Sequence, residues 1–213
     1  DGHQAASNAS SQVGLQMGMM VFMVLAALAM TTEYRFGTIR ASFLAVPRRA
    51  NVLLAKTAVL VVLGAVTAAV CSLAAFVLTK VLATSPASPL ALDTGADWRA
   101  VLGNAALFPI AAVIAVSVGT LIRHSAGAIA LLLVWAMLLE NLVMLIPRVG
   151  QDITAWLPFH AANAFTADGS FSGGPNATFG SAGPTPMQGL LVFIGTAVVL
   201  WLIALVVLKR RDA

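Results

Sequence analysis

Five long runs of apolar residues alternate with short polar segments along the chain. A hydrocarbon core about 30 Å thick is crossed by about 20 helical residues that rise 1.5 Å each, and the five runs are close to this length. We therefore expect an all-α polytopic membrane protein with a single transmembrane domain over residues 1–213. The predicted spans cover residues 13–30, 57–82, 101–122, 127–146 and 188–208.

The composition supports this assignment to the membrane. Hydrophobic residues make up 60% of the chain and charged residues 9%, whereas about 25% of the residues in a soluble domain are charged. So few charges cannot cover a surface that faces water, which excludes a soluble domain. The net charge of +4 does not indicate nucleic acid, because the basic residues stand at the ends of apolar runs. The partner that the composition predicts is a lipid bilayer.

The basic residues also predict an orientation. Nine of the twelve Lys and Arg residues lie in residues 31–56, in the turn at Arg123 and in the tail after residue 208, and the positive-inside rule places these parts in the cytoplasm. Residues 1–12 and the loop at residues 148–187 are then extracellular. This arrangement in the cell membrane requires an upstream span that translocates the first loop. We therefore expect six spans in the full protein, with the first one missing from this sequence.

Two external segments carry further local signals. Residues 152–165 are apolar but too short to span, and Pro158 interrupts them, which predicts a pair of short interfacial or re-entrant helices. The second external segment, residues 84–99, contains Pro86 and Pro89 and is predicted to be a loop, because proline ends a continuing helix.

The sequence lacks motifs for enzymatic chemistry. It has no GxxxxGK[ST] phosphate loop, no HExxH and no GxSxG. Its three histidines are far apart in the sequence, and Cys71 is the single cysteine, so no set of metal ligands at a typical spacing is present. We expect neither enzyme activity nor a metal or cofactor in this chain.

Glu140 is the most costly residue in the predicted spans, because a charged side chain at mid-membrane costs roughly 2.5–3.5 kcal/mol. Asn141 follows it and is a candidate polar partner. In a functional interpretation Glu140 belongs to a cargo pathway or a proton relay. In a structural interpretation it makes a hydrogen bond that holds two helices together. The residues alone leave both interpretations open.

The polar segment at residues 31–56 is predicted to contain a helix of its own on the cytoplasmic membrane surface. Thr32 can cap this helix, and Glu33 in the first turn suits the positive end of its dipole. Pro47 would stop it. Its apolar side is broad but interrupted by Arg40, so the helix is imperfectly amphipathic. The alternative is a plain basic loop that obeys the positive-inside rule.

The order of residues in this segment resembles the ABC-2 type transporter permeases. Residues 33–40 read EYRFGTIR and residues 44–49 read LAVPRR. In that family an acidic residue, a basic residue, Gly-Thr and a stop similar to Leu-Ala-x-Pro follow the second span. The resemblance covers essentially the whole chain and depends on the order and spacing of short motifs.

The resemblance implies a function and two protein partners. Such permeases have six spans, pair as homo- or heterodimers and bind a separate ABC ATPase subunit, which holds the ATP and Mg. The chain would form the substrate pathway of an ATP-driven exporter, and Arg123 and His124 would make a second, lesser contact with the ATPase. The segment that docks in the ATPase would comprise Glu33, Tyr34, Arg35, Phe36, Gly37, Thr38, Ile39, Arg40 and Phe43.

Two other functions remain open. A proton-coupled secondary transporter could use Glu140 as its proton site. A membrane scaffold or sensor subunit would transport nothing and would use the same polar residues for assembly alone.

Overall fold

The computed structural model describes residues 10–36, 49–82, 92–146, 150–166 and 184–211. These residues are helical apart from short turns, and they contain no β-strand. A 3-10 turn (Ser10–Gln12) precedes the first helix, and a π-helical turn (Trp135–Leu139) joins the fifth to the sixth. The helices are α1 (Val13–Phe36), α2 (Arg49–Leu82), α3 (Gly95–Leu102), α4 (Asn104–Ile122), α5 (Ser125–Val134), α6 (Glu140–Val143), α7 (Gly150–Ala155), α8 (Pro158–Thr166) and α9 (Pro186–Arg211).

Five helical stretches are long and apolar enough to cross a membrane: α1, α2, α4, the continuous stretch of α5 and α6, and α9. The expected all-helical, multi-pass membrane architecture is confirmed at this level. The helices of the first two spans extend well beyond the predicted apolar runs, since α1 continues to Phe36 and α2 begins at Arg49. An apolar run marks the part of a helix that crosses lipid, whereas the helix itself continues until the backbone is interrupted.

The expected helix start at Thr32 is wrong. The backbone of α1 continues through this position, and the Thr32 hydroxyl donates to the carbonyl oxygen of Leu28 at 2.7 Å. Glu33 consequently lies in the last turn of α1 rather than in the first turn of a new helix. The reason is local: residues 31–36 contain neither glycine nor proline, and a threonine inside a helix can bond to the carbonyl four residues earlier. Residues 37–48, with the expected stop at Pro47, lie outside the described residues.

The central helix of the bundle is α4. Twelve of its 19 residues are buried, a larger share than in the other spans, and it contacts α1, α2, α5 and α9. Small side chains along α4 let its neighbours approach closely, as is common where helices pack in membranes. The small buried residues are Ala111, Ala112, Ala115, Ser117 and Gly119.

One face of α2 points away from the bundle and is apolar along its length. The exposed valines recur at intervals of three, four or seven residues, which places them on one side of the helix. In a bilayer such a face contacts lipid chains, and it identifies α2 as a peripheral helix. These residues are Val59, Val62, Val66, Val70 and Val77.

The segment after the second span contains a helix, α3, that the loop prediction missed. Thr94 and Asp97 form a capping box at its start: the Asp97 N–H donates to the Thr94 hydroxyl oxygen at 3.3 Å, and the Thr94 N–H donates to the Asp97 carboxylate at 2.9 Å. Threonine followed three residues later by an acidic residue is a signal for such a helix start. Gly103 separates α3 from α4, so the third span begins at Asn104 rather than at residue 101.

The two short helices expected around Pro158 are present as α7 and α8, with Pro158 as the first residue of α8. α8 runs antiparallel to α9, because Phe159 lies beside Phe193 while Ala161 lies beside Gly189. Phe193 is seven residues inside α9, about 10 Å from its start at 1.5 Å per residue. The beginning of α8 therefore lies deeper in the bundle than its end, which favours the re-entrant over the interfacial interpretation.

Gly189 sets how closely α8 and α9 can pack. A Cβ atom at this position would lie 2.3 Å from the carbonyl oxygen of Ala161, which belongs to a backbone and cannot rotate away. Gly195 on the same helix has open space around it. The two glycines form a matched pair, one constrained by packing and one not.

We predict that Gly189→Ala lowers the thermal unfolding midpoint of the detergent-solubilised protein, because overpacking costs about 1–3 kcal/mol. That cost corresponds to about 2 °C or more in a chain of this size. Gly195→Ala should leave the midpoint unchanged or raise it slightly, since alanine is the better helix former. Intrinsic tryptophan fluorescence can follow both variants. Equal midpoints for the two would contradict the close α8–α9 contact.

Candidate functional site

Glu140 is buried inside the bundle, with 1% of its surface exposed. Its Oε1 accepts a hydrogen bond from the backbone N–H of Phe159 at 3.0 Å, and its Oε2 accepts one from the N–H of His160 at 2.9 Å. Oε2 also lies 2.8 Å from Nδ1 of the His160 ring. Both carboxylate oxygens of Glu140 are thus directed at the start of α8.

The position of Glu140 depends on the π-helical turn that precedes it. A π turn contains about one residue more than an α turn, so it rotates the residues that follow by about 100° around the helix. After this turn Glu140 faces the interior, whereas Leu139 and Asn141 on either side of it are exposed. The turn thereby places one polar residue inside a span whose neighbouring side chains point outward.

The carboxylate of Glu140 acts as the N-cap of α8. The first N–H groups of a helix have no partner within it, and Leu157, which precedes α8, has no side-chain acceptor. Pro158 has no N–H, the N–H groups of Phe159 and His160 donate to Glu140, and the N–H of Ala161 donates to the carbonyl of Leu157 at 2.8 Å. All the N–H groups in the first turn of α8 are therefore satisfied.

This geometry favours the structural interpretation of Glu140, in which it joins two helices. The positive end of the α8 dipole adds to the stabilisation of a carboxylate at this point. One sequence signal could have suggested the link. A helix that begins Leu-Pro cannot cap itself, and a glutamate in a neighbouring span is the polar residue that could reach it.

Asn141 does not assist Glu140, contrary to the candidate partnership. Its side-chain Nδ2 donates to the carbonyl oxygen of Met137 in its own helix at 2.6 Å, and the residue is exposed. Neighbouring residues in a helix point about 100° apart. Two adjacent polar residues in a span therefore do not share a face.

Aromatic contacts hold the start of α8 from the other side. The Phe159 ring meets the Trp135 ring edge to face, with centroids 5.6 Å apart, and lies 5.7 Å from the Phe193 ring. Such pairs contribute about 0.5–1.5 kcal/mol beyond the area they bury. The first turn of α8 is thus fixed by the carboxylate at its N–H groups and by Trp135 and Phe193 at its side chain.

We predict that Glu140→Gln loosens α8. Glutamine presents one acceptor oxygen and one NH2 donor, so one N–H at the start of α8 loses its acceptor, at a cost of about 1–3 kcal/mol. Hydrogen exchange of the Phe159 and His160 amides should accelerate, and the thermal midpoint should fall. The control is Asn141→Ala, which removes a neighbouring exposed side chain and should change stability by less than about 0.5 kcal/mol. Unchanged exchange in Glu140→Gln would refute the capping role.

A second polar group, which we call the α1-end cluster, comprises Glu33, Tyr34, Lys56 and Arg123. The Glu33 carboxylate forms an ion pair with the Lys56 ammonium group, and Lys56 Nζ also lies 3.4 Å from the carbonyl oxygen of Ala29. The Arg123 guanidinium lies over the Tyr34 ring, 5.0 Å from its centroid. The last turn of α1 is thereby joined to α2 on one side and to the α4–α5 turn on the other.

The α4–α5 turn consists of Arg123 and His124. Arg123 ends α4 in a left-handed backbone conformation, with φ at 56°. His124 then caps α5, because its Nδ1 accepts a hydrogen bond from the Gly127 N–H at 3.2 Å. Of the two residues expected to touch an ATPase here, one stacks on α1 and the other caps the next helix.

Two more of the expected docking residues, Arg35 and Phe36, end α1 with exposed side chains. Phe36 is 71% exposed, and the Arg35 guanidinium lies 5.8 Å from its ring centroid. The expected docking segment and the expected second contact lie next to each other through the contact between Tyr34 and Arg123. The other five expected residues fall outside the described residues: Gly37, Thr38, Ile39, Arg40 and Phe43.

The described residues also form an apolar groove. A groove of about 420 Å³ lies between α1, α2 and α4, lined mainly by carbon atoms of residues such as Leu15, Phe22 and Phe108. No group of three or more His, Cys, Asp or Glu residues that could hold a metal ion occurs in the described part of the chain. We take the buried carboxylate of Glu140 and the charged group at the end of α1 as the candidate functional sites.

Comparisons with profiles of known protein families, with curated proteins and with solved structures find no match for this chain. The likeness to ABC-2 permeases consequently depends on the motif in residues 33–49 and on the order of spans. What the chain does must be argued from these residues and from the two polar groups.

Proposed function

We propose that this chain is the transmembrane permease subunit of an ATP-driven ABC exporter in the cell membrane. The observation that supports this most is the contact between Tyr34 and Arg123. It brings the family-like motif at the end of α1 next to the α4–α5 turn, as a docking surface shared by the two segments would require. The sequence separates these residues by 89 positions, and the resemblance did not require them to touch.

The exposed residues of this surface suit a soluble protein partner. Phe36 offers a large apolar side chain that a partner can bury, and Arg35 beside it offers a positive charge. Aromatic and arginine residues of this kind dominate binding energy at protein interfaces. In the proposed assembly the ATPase holds ATP and Mg, and a second permease subunit completes the substrate pathway.

The architecture suggests how motion reaches the other end of the molecule. α1 packs along α4, with Gly119 of α4 close to the Ala27 carbonyl oxygen of α1. At the opposite end of α1, Gln16 donates a hydrogen bond to the Asn163 side chain of α8 at 3.0 Å, in an exposed position. Glu140 and α9 hold α8 in place. A shift of α1 would therefore move the Gln16 end of α1 relative to a fixed α8. ATP drives such a shift only if the ATPase binds one arrangement more tightly than the other.

We predict that Phe36→Ala weakens association of the full-length protein with its ATPase by about tenfold or more, which corresponds to 1.4 kcal/mol. Because Phe36 is exposed, the stability of the permease alone should not change. Lys209→Ala is the matched control, since it removes an exposed residue from the end of α9 that lies outside the α1-end cluster. The partner to co-express is a P-loop ATPase, and the first to test is the product of an adjacent reading frame that carries the phosphate-loop motif. A full-length protein that associates with no ATPase would sink the proposal.

A proton-coupled secondary transporter is the second candidate, and the observation that favours it is the 2.8 Å distance between the Glu140 carboxylate and Nδ1 of His160. A buried carboxylate beside an imidazole can exchange a proton. This function predicts cargo flux into proteoliposomes under an imposed pH gradient without ATP, and loss of that flux in Glu140→Gln. Flux that needs ATP and ignores the gradient would exclude it. If neither ATP nor the gradient drives flux, a non-transporting scaffold is the better description.

A further inference from the structure

Arg123 occupies a position where glycine is usual. It follows the last turn of α4 with φ at 56°, and helices that end in this left-handed conformation mostly have glycine there, because a Cβ atom is unfavourable. It is the one described non-glycine residue with a positive φ. An arginine at this point therefore accepts a local backbone cost, which indicates that its side chain has a use that glycine could not supply.

That use is visible in the contact with Tyr34. The planar guanidinium of arginine stacks on aromatic faces, whereas the ammonium group of lysine is a compact, strongly hydrated charge. The guanidinium of Arg123 lies 5.0 Å from the Tyr34 ring centroid, and both side chains are partly buried. The guanidinium of Arg123 thus packs against α1.

The contact joins the two elements that would have to move together. Tyr34 lies in the last turn of α1, and its neighbour Glu33 pairs with Lys56 near the start of α2. Arg123 directly follows α4, the central helix of the bundle. We propose that Arg123 is a positioning residue that makes the end of α1 and the α4–α5 turn move as one body. This inference rests on the proposed function, and it reassigns Arg123 from a partner contact to an internal link.

The decisive variant is Arg123→Gly in the full-length permease with its ATPase. Glycine relieves the backbone cost and removes the ring contact, so the thermal midpoint should stay the same or rise. The cargo moved per ATP hydrolysed should nevertheless fall by about fivefold or more, the lower end of the coupling usually found between sites. A purely structural role for Arg123 would instead lower stability and leave the ratio of transport to hydrolysis intact.

Three further variants sharpen the result. Arg123→Lys keeps the charge but not the planar group and should lose most of the coupling. Tyr34→Leu should lower the cargo moved per ATP hydrolysed as much as Arg123→Gly does. The double variant should lower this ratio no further than either single variant, because both substitutions remove the same contact. Lys209→Ala should transport as efficiently as the unaltered protein. Additive losses in the double variant would overturn the proposed pairing.

Hydrogen exchange on the permease alone separates this inference from the proposed function. In Arg123→Gly the amides of residues 31–36 should exchange faster, although no residue of α1 has been altered. Suppose that these amides exchange faster but the unaltered protein transports nothing with ATP. The contact between Arg123 and α1 is then supported, and the exporter assignment fails. If exchange in α1 is unchanged, the link is refuted. A third outcome is faster exchange in Arg123→Gly together with an unchanged ratio of cargo moved to ATP hydrolysed. The contact would then exist without contributing to transport, which would overturn the positioning role.

Discussion

A helix that begins inside an apolar bundle needs acceptors for its first N–H groups, since no water is available to satisfy them. In this protein the need is met by one carboxylate, that of Glu140, which reaches α8 from a neighbouring span. The carboxylate in turn is tolerated at 1% exposure because two N–H groups and the His160 ring surround it. A buried carboxylate and buried N–H groups without acceptors would each be unfavourable alone, and their hydrogen bonds to each other remove both penalties.

Much of one end of the bundle depends on this pairing. Because the start of α8 is fixed, Phe159 fits between Trp135 and Phe193, and the Ala161 carbonyl comes within reach of Gly189 on α9. α8 and α9 then form an antiparallel pair that packs on the rest of the bundle. The π-helical turn before Glu140 belongs to the same arrangement, since it directs the carboxylate inward.

The opposite end is held together differently. Glu140 follows Ser125 by 15 residues, about 20 Å of helix, so the α1-end cluster lies far from α8. Its links are an ion pair about a quarter exposed and a cation–π contact at the bundle surface. Such interactions contribute about 0–1 kcal/mol and up to about 2 kcal/mol respectively. One end is therefore fixed by buried, fully satisfied hydrogen bonds, and the other by weaker contacts that a partner could reorganise.

The sequence by itself determined the all-helical class, the five stretches long and apolar enough to span a membrane in the described residues, and the pair of short helices around Pro158. These follow from the length of apolar runs and from the absence of an N–H in proline, both of which are local properties. It also identified Glu140 as a residue that needs an explanation, because the cost of a buried charge is independent of the fold. The sequence could also have predicted the helix at residues 95–102, because Thr94 and Asp97 form a capping-box pattern.

The tertiary structure alone decided the partners of the polar residues that join one helix to another. Glu140 and Asn141 are neighbours in sequence, yet a helix and its π turn direct them to opposite environments, and the partners of Glu140 lie 19 and 20 residues away. Thr32 and Glu33 had the features of a helix start, but α1 continues through them because nothing interrupts its backbone. The contact between Tyr34 and Arg123 left no trace in the sequence, since it depends on how α1 and α4 pack. Local chemistry sets what a residue requires, and only packing over long separations decides what supplies it.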